Sequence, residues 1–414
     1  MSPLDWLDSL QASGIRPGLA RMRALLRPLG RPERAYPSII VAGTNGKGST
    51  AAALESILRS SGYRAALYTS PHLIDIRERW LIDGEMIDPH LLEQSIELLR
   101  DAARQTSITP TYFEALTLIA FIAFRGAHCE IAVLEVGMGG RMDATNVVMP
   151  MAAIITPIGI DHTEYLGSTL RMIAAEKAGV IHRGAVVLTS NDDSRVQAVL
   201  RQRAENLGSR FIVVRDDHDT PLPGSFQRRN AALAVRAAQE LRKQLPRITG
   251  ESIERGIAAT RWRGRLERLC TDGKEIWIDG CHNAHAMAAI APFIRDRLRP
   301  PRLLVFGIMR DKEIEPVADI LFPLFECVIA TEPYPPRSTP AADLAALARA
   351  RGIEAYAEAE PQRAIERALR SGQRTIFIGG SLYLAGAAVQ YFDAQREKRA
   401  EKEQRGEKPR AGHR

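Results

Sequence analysis

Cysteine is scarce in this chain. Its 414 residues contain four cysteines, Cys129, Cys270, Cys281 and Cys327, set far apart and with no C-x-x-C pair. That spacing argues against a disulfide framework and a zinc site, and it suits a reducing cytoplasm. Long apolar runs are missing too. The longest, residues 115–124, is too short to cross a bilayer, so no membrane association is expected. The N-terminus, Met1-Ser2-Pro3-Leu4-Asp5-Trp6, has no basic head followed by an apolar stretch, so no secretory signal is expected. No repeat of solenoid period is present. The basic run 16–34 holds six arginines and no aromatic residue, so it reads as a solvated helix face rather than a nucleic-acid surface.

What is present fits an ordinary globular protein. Hydrophobic residues make up 45% of the chain, enough for a sizeable core, and the length predicts two domains. The net charge of +7, with a pI near 9.4, would suggest nucleic acid if it were spread over the chain. It is not: residues 396–414 hold eight Lys/Arg and four Glu, so four of the seven net charges lie in the tail. With almost no apolar residue after Phe392, that tail is expected to be disordered.

Short apolar, β-branched runs at 39–41, 65–68, 131–136, 152–156 and 185–189 alternate with helix-compatible stretches at 51–60, 89–106, 113–124 and 170–178. This alternation predicts a mostly parallel sheet covered on both faces. A second series has strand candidates at 276–278, 303–306, 327–331 and 375–378 and helical stretches at 286–298, 314–321, 341–351 and 361–370. It predicts a smaller Rossmann-like α/β domain. The expected division is 1–268 for the first domain, 269–395 for a C-terminal domain, and 396–414 for the tail.

The segment Gly43-Thr44-Asn45-Gly46-Lys47-Gly48-Ser49-Thr50 lies between the first strand and the first helix of this pattern. Glycines admit close backbone approach, and a helix N-terminus favours an anion. Lys47 would reach the outer phosphates of a nucleoside triphosphate, and Ser49 would hold magnesium. The general phosphate-loop pattern has lysine directly followed by serine or threonine; here Gly48 intervenes. Glu135, at the end of an apolar strand and beside Gly137-Met138-Gly139-Gly140, stands where a magnesium ligand would face the triphosphate. His162 follows the next strand at the same sheet edge and is a second candidate ligand. By pattern alone Lys177 is a cation at a helix C-terminus.

Taken with Thr69-Ser70-Pro71-His72-Leu73, Thr111-Tyr112-Phe113-Glu114, Leu134 to Asn146 and Asp161-His162-Thr163, these motifs resemble the folylpolyglutamate synthase/dihydrofolate synthase family of the ATP-dependent Mur-ligase superfamily. Glu176-Lys177-Ala178-Gly179, Gln227-Arg228-Arg229-Asn230-Ala231, Trp262-Arg263-Gly264-Arg265-Leu266-Glu267, Asp279-Gly280-Cys281-His282-Asn283 and Gly379-Gly380-Ser381 continue the match in order. The resemblance spans about 44–381. It implies a two-domain ligase with ATP between the domains, bound by Thr44, Asn45, Gly46, Lys47, Gly48, Ser49 and Thr50. Ser49, Glu135 and His162 would ligate magnesium, and a carbamylated Lys177 would hold a second magnesium. From the other domain's side, Asn230 and Arg265 would contact the nucleotide, with Asp279 and His282 completing the site. The pterin would lie near Pro71, Phe113 and Asp143. The chain departs from the family at Cys281 and Ala284, where alanine and proline are usual; Cys281 reads as a small packing residue.

The expected activity is ATP-dependent addition of L-glutamate to a pterin acceptor, dihydropteroate, a folate, or both, through an acyl phosphate. Expected partners are these small molecules alone, with no nucleic acid or membrane, for a cytoplasmic monomer. A cell-wall Mur ligase is the second reading, and the motifs at 69–73 and 111–114 fit it less well. A nucleotide-dependent binding protein without ligase activity is a third.

Overall fold

Alternate residues of the first apolar strands enter different cores. Ile40, Ala132 and Leu134 face one side of the sheet, and Ile39, Val41, Ile131 and Val133 face the other. A strand buried on both faces must be apolar at nearly every position, which is why these strands read as unbroken runs. In a computed structural model of the chain, residues 1–404 are described except Ile15 and Asp272. They form two compact units, Met1–Trp262 and Arg263–Arg414.

The first unit holds one eight-stranded sheet. Its strands are β1 (Ser38–Ala42), β2 (Ala65–Tyr68), β3 (Trp80–Ile82), β4 (Glu85–Met86), β5 (Ile131–Glu135), β6 (Ala152–Ile155), β7 (Val186–Thr189) and β8 (Phe211–Val213). The order is β4-β3-β2-β5-β1-β6-β7-β8. The six strands from β2 to β8 in that order pair in parallel, while β3 and β4 add an antiparallel edge that the sequence pattern does not predict.

Helices Pro89–Thr106, Tyr112–Gly126, Leu170–Lys177 and Ser194–Asn206 cover one face, and helices Lys47–Ser60, Ser225–Leu241 and Gly250–Ala259 the other. No element is expected from sequence between 190 and 262. Helix Ser194–Asn206 shows why: its buried residues are only Val196, Leu200 and Ala204, one apolar residue per turn in a polar segment.

The second unit has a six-stranded sheet in the order β13-β12-β11-β14-β10-β9. It is made of β9 (Glu267–Thr271), β10 (Lys274–Ile278), β11 (Arg302–Phe306), β12 (Cys327–Ala330), β13 (Glu354–Ala357) and β14 (Thr375–Gly379). All pairs are parallel except β9 with β10. That antiparallel pairing carries 267–271 into the second unit, so the chain divides after Trp262 rather than after residue 268.

The expected disordered tail is in part helical: helix Leu382–Gln404 continues through 396–404, and 405–414 lie outside the described residues. Arg, Glu, Lys, Ala and Gln are strong helix formers, and a helix already anchored by buried Leu384, Val389 and Phe392 needs only propensity to propagate.

Helix Lys47–Ser60 is enclosed: ten consecutive residues, Ser49 to Leu58, are buried. Helix Gly250–Ala259 reaches its backbone, because a Cβ on Gly256 would stand 2.4 Å from the Cα of Ile57. Ser56 Oγ donates to the Gly256 carbonyl at 2.7 Å.

Glu55 is buried in this helix, and its carboxylate lies 3.3 Å from Arg59 Nε. Burial raises its pKa from 4.5 to about 7 against the opposing pull of Arg59. Above pH 4.5 the unfolded chain ionises this glutamate while the native state resists, so native stability is lost as pH rises toward 7. Glu55→Gln removes the penalty. Urea unfolding should show a gain of no more than about 3 kcal/mol at pH 8 and none near pH 4.

Candidate active site

The strand order places β1 between β5 and β6, with Val41 opposite Glu135 on one side and Ala42 opposite Ile155 on the other. The chain leaves β1 toward the β2 edge and leaves β6 toward the β8 edge. Ligands of open α/β sheets bind where connections diverge in this way, at the carboxyl ends of the strands. Four loops share this edge: 43–46 after β1, 69–72 after β2, 136–143 after β5 and 156–162 after β6.

The loop after β1 is fastened to the loop after β6. The N–H groups of Thr44 and Asn45 both donate to the carbonyl of Pro157, at 3.0 and 3.3 Å. Thr44 Oγ1 donates to Gly159 O and accepts from Gly159 N, each at 3.1 Å. Asn191, after β7, braces the far side by accepting from Ile158 N at 2.7 Å and donating to Thr156 O at 3.1 Å. The backbone N–H groups of Thr44 and Asn45, expected at the phosphates, are therefore committed to the protein. Helix Lys47–Ser60 begins after Gly46, its left-handed N-cap (φ 88°), where no side chain caps the helix and the first-turn N–H groups could hold an anion. Lys47 Nζ folds back to the Thr44 carbonyl at 3.1 Å. Asn230 belongs to this same unit and not to the other side: a Cβ on Gly46 would stand 2.4 Å from its Oδ1.

Lys177 enters from helix Leu170–Lys177, is 4% exposed, and donates through Nζ to the Gly43 carbonyl at 2.6 Å. Burial pulls its pKa from 10.5 down to about 7, helped by the charge of Lys47 and opposed by Asp161 and Asp143. The lysine that by pattern alone is a cation at a helix C-terminus is a buried amine bonded to the loop after β1.

Loop 137–143 packs on the same helix end. Arg141 N donates to Glu176 O at 2.9 Å, and Arg141 pairs with the Glu176 carboxylate at 2.6 Å. Asp143 organises this loop. Its Oδ2 accepts from Gly137 N and Met138 N, both at 3.0 Å, and its Oδ1 accepts from Thr145 N at 3.0 Å and Thr145 Oγ1 at 2.6 Å. Burial raises its pKa, and these donors offset the rise. Phe113 lies against the loop: a Cβ on Gly137 would meet its Cζ at 2.4 Å. Pro71 is exposed in the neighbouring loop, whose Ser70 N donates to Glu135 Oε2 at 3.2 Å.

The metal-ligand set is mixed. Among the described residues no group of three or more His, Cys, Asp or Glu could hold a metal ion; the expected set has only Glu135 and His162 of these types. Glu135 is a buried carboxylate, and Ser49 a buried hydroxyl in the helix's first turn. Two buried oxygen donors beside an anion cradle fit a hard divalent cation such as magnesium. The His162 side chain is 40% exposed on a residue with φ of 50°, and the backbone N–H of His162 donates to Asp161 Oδ1 at 2.9 Å. Ser70, visible in the sequence only as part of a motif, is tied to Glu135 through its backbone N–H.

In the second unit Asp279 directly follows β10 and accepts from Leu266 N at 2.8 Å and Cys281 N at 2.7 Å. Burial raises its pKa, with Arg265 pulling the other way. His282 Nδ1 pairs with the Gly280 carbonyl at 2.9 Å, and Arg265 Nη1 donates to Gly264 O at 3.0 Å. Cys281 is buried, and desolvation, then Asp279, pushes its thiol pKa well above 9, which keeps it protonated and inert.

Known proteins share this arrangement. The family model of the Mur ligase middle domain matches residues 41–221, and that of the Mur ligase glutamate ligase domain matches 264–382. The chain is 33% identical over 404 residues to the folylpolyglutamate synthase of Lacticaseibacillus casei, covering 89% of this chain and 93% of that protein. It is 34% identical over 341 residues to the dihydrofolate synthase/folylpolyglutamate synthase of Bacillus subtilis, covering 74% and 79%. The Mycobacterium tuberculosis folylpolyglutamate synthase, solved with ADP and AMPPCP, matches with a TM-score of 0.84 at 32% identity over 94% of this chain and 99% of that one. The fold and both domain matches define an ATP-dependent ligase of the Mur type. Within that class the chain belongs to the folylpolyglutamate synthase/dihydrofolate synthase family. No helix of the described residues is long and apolar enough to cross a membrane.

Asp143→Ala would strand the buried N–H groups of Gly137 and Met138. The expected loss is about 2–3 kcal/mol in chemical unfolding, with a raised KM for the acceptor, and Asp143→Asn should fall between the two.

Proposed function

We propose that this chain joins L-glutamate to the carboxylate of a pterin-bearing acceptor, dihydropteroate or a reduced folate or both, with conversion of ATP to ADP and phosphate. The observation that carries this reading is one sheet edge holding an uncapped helix N-terminus with Lys47, a buried Lys177 bonded to the same loop, and the ring of Phe113 against the loop that follows Glu135. The first two are equipment for a polyphosphate. The third offers an aromatic face for a flat heterocycle, with Pro71 nearby and Asp143 acting by holding the loop in shape.

A carboxylate is a poor electrophile. In the proposed reaction an acceptor carboxylate oxygen attacks the γ-phosphorus, ADP leaves, and an acyl phosphate forms. The neutral amine of glutamate then adds to the carbonyl carbon, and the tetrahedral adduct expels phosphate and loses a proton to give the amide. The first-turn N–H groups and Lys47 hold the phosphates and offset charge in the transition state. Ser49, Glu135 and His162 are the residues that would hold magnesium, which when bound neutralises charge on the transferred phosphoryl group. In the second unit Asp279 ties Leu266 to Cys281 by its two backbone bonds, which holds the segments carrying Arg265 and His282 in shape.

Lys177 is best read as a carbamate. A buried amine with a pKa near 7 is substantially neutral at pH 7–8, the form that adds to carbon dioxide. The product is anionic and relieves the repulsion that Lys47 exerts on an ammonium at the same place. With four free thiols, the chain is assigned to the reducing cytoplasm, as a monomer acting on small molecules without nucleic acid.

In a coupled assay ADP should be released only when a pterin acceptor and L-glutamate are both present. Comparing dihydropteroate with tetrahydrofolate identifies the acceptor; turnover with neither, and turnover with a UDP-sugar peptide, would refute the reading. Lys177→Ala should lose at least about 100-fold in kcat and regain part of it with added short-chain carboxylic acids. An unrescued variant at full activity would exclude the carbamate.

A further inference from the structure

Gly48 is the residue that separates this cradle from the general phosphate loop, and the structure shows what occupies the space its side chain would fill. A Cβ at position 48 would stand 3.0 Å from Nε1 of Trp262 and 3.4 Å from both Cε2 and Cζ2 of the same ring. The edge that carries the indole N–H therefore lies against the second residue of helix Lys47–Ser60. Cα–Cβ bonds of a helix tilt toward its N-terminus, so an atom beside that Cβ position sits at the end of the helix where an anion would be held. The ring is half-buried and packs on the core under helices Lys47–Ser60 and Ser225–Leu241, which fixes its orientation.

Indole nitrogen is a donor only. Among the described residues no hydrogen bond uses this N–H. A donor fixed at the lip of an anion cradle, reached through an absent side chain, has one suitable class of partner, a phosphate oxygen. We propose that Trp262 is a nucleotide-binding residue whose indole N–H donates to a phosphate oxygen of the triphosphate, and that Gly48 is glycine to admit that ring. The inference rests on the reading of 43–50 as a triphosphate site and adds a contact from the last residue of the first unit. Lys47 supplies charge from the chain side of the loop, and Trp262 supplies a neutral, directional donor from the flank.

Trp262→Phe keeps a ring in the packing and removes only the donor. The full-length variant should bind ATP and ADP with a Kd raised about ten-fold, as for loss of one hydrogen bond to a charged group. Its thermal midpoint and its KM for L-glutamate should stay unchanged. In wild-type protein labelled with 15N at the indole nitrogens, the Trp262 resonance should move downfield on addition of ADP, while those of Trp6 and Trp80 stay put. Adenosine, which has no phosphate, should leave the Trp262 resonance in place. Wild-type affinity in Trp262→Phe, or a stationary Trp262 resonance in nucleotide-bound wild type, would overturn the proposal while leaving the triphosphate site intact. Wild-type protein that binds no ATP would overturn both. If Trp262→Phe fails to fold, the wild-type resonance decides alone.

Discussion

Parallel pairing of β1 with β5 on one side and β6 on the other is the constraint from which the site follows. Parallel strands end on the same edge, so the register that sets Val41 opposite Glu135 and Ala42 opposite Ile155 also sets their loops side by side. Once that register is fixed, the hydrogen bonds of Thr44 and Asn45 to Pro157, and of Lys177 to Gly43, need only short reaches. The catalytic edge is in this sense a property of the sheet. Residues separated by more than a hundred positions become neighbours because the strands that carry them are adjacent in space.

The electrostatics of this edge are unusual for a folded protein at rest. The charge of Lys47 disfavours a charge on Lys177, which has almost no contact with solvent. A protein selected for stability alone would not bury an amine there. The arrangement makes sense if negative charge arrives with the ligands, and if Lys177 itself becomes an anion. The same logic explains the uncapped helix at Gly46: its first turn is left for a guest.

Much of this was legible in the sequence, for physical reasons. β1, β2, β5, β6 and β7 could be read because both faces of each are buried, which forces unbroken apolar runs. Gly43 to Thr50 could be read because close approach and helix capping leave glycines at fixed places. The edge strands β3 and β4 were not legible, since a two-residue strand with an exposed Glu85–Met86 has no pattern to show. Nor was the division after Trp262, which depends on β9 pairing with β10. Among the expected site residues, Lys47 follows β1, Glu135 ends β5, and Lys177 bonds to the loop after β1. Asp143 is a scaffold for its loop, and Asn230 stands on the cradle's own side; neither role follows from residue type. Ser70 lies beside Glu135 and Trp262 beside Gly48 through backbone and ring geometry that composition does not encode.

The enclosure of helix Lys47–Ser60 bears on how such sequences can drift. Gly256 and Ile57 meet backbone to backbone, and Ala51, Ala52 and Ala53 are buried along the same helix. Gly256 and the three alanines already carry the smallest side chains available, so most substitutions there add volume. Where larger residues are resisted on all sides, variation is one-directional and filtered at once. Homologues should then preserve small residues here for reasons of space, even though none of them touches a substrate. A conserved band behind an active site would in this family be a record of crowding, and reading it as chemistry would assign function to the wrong face of the helix.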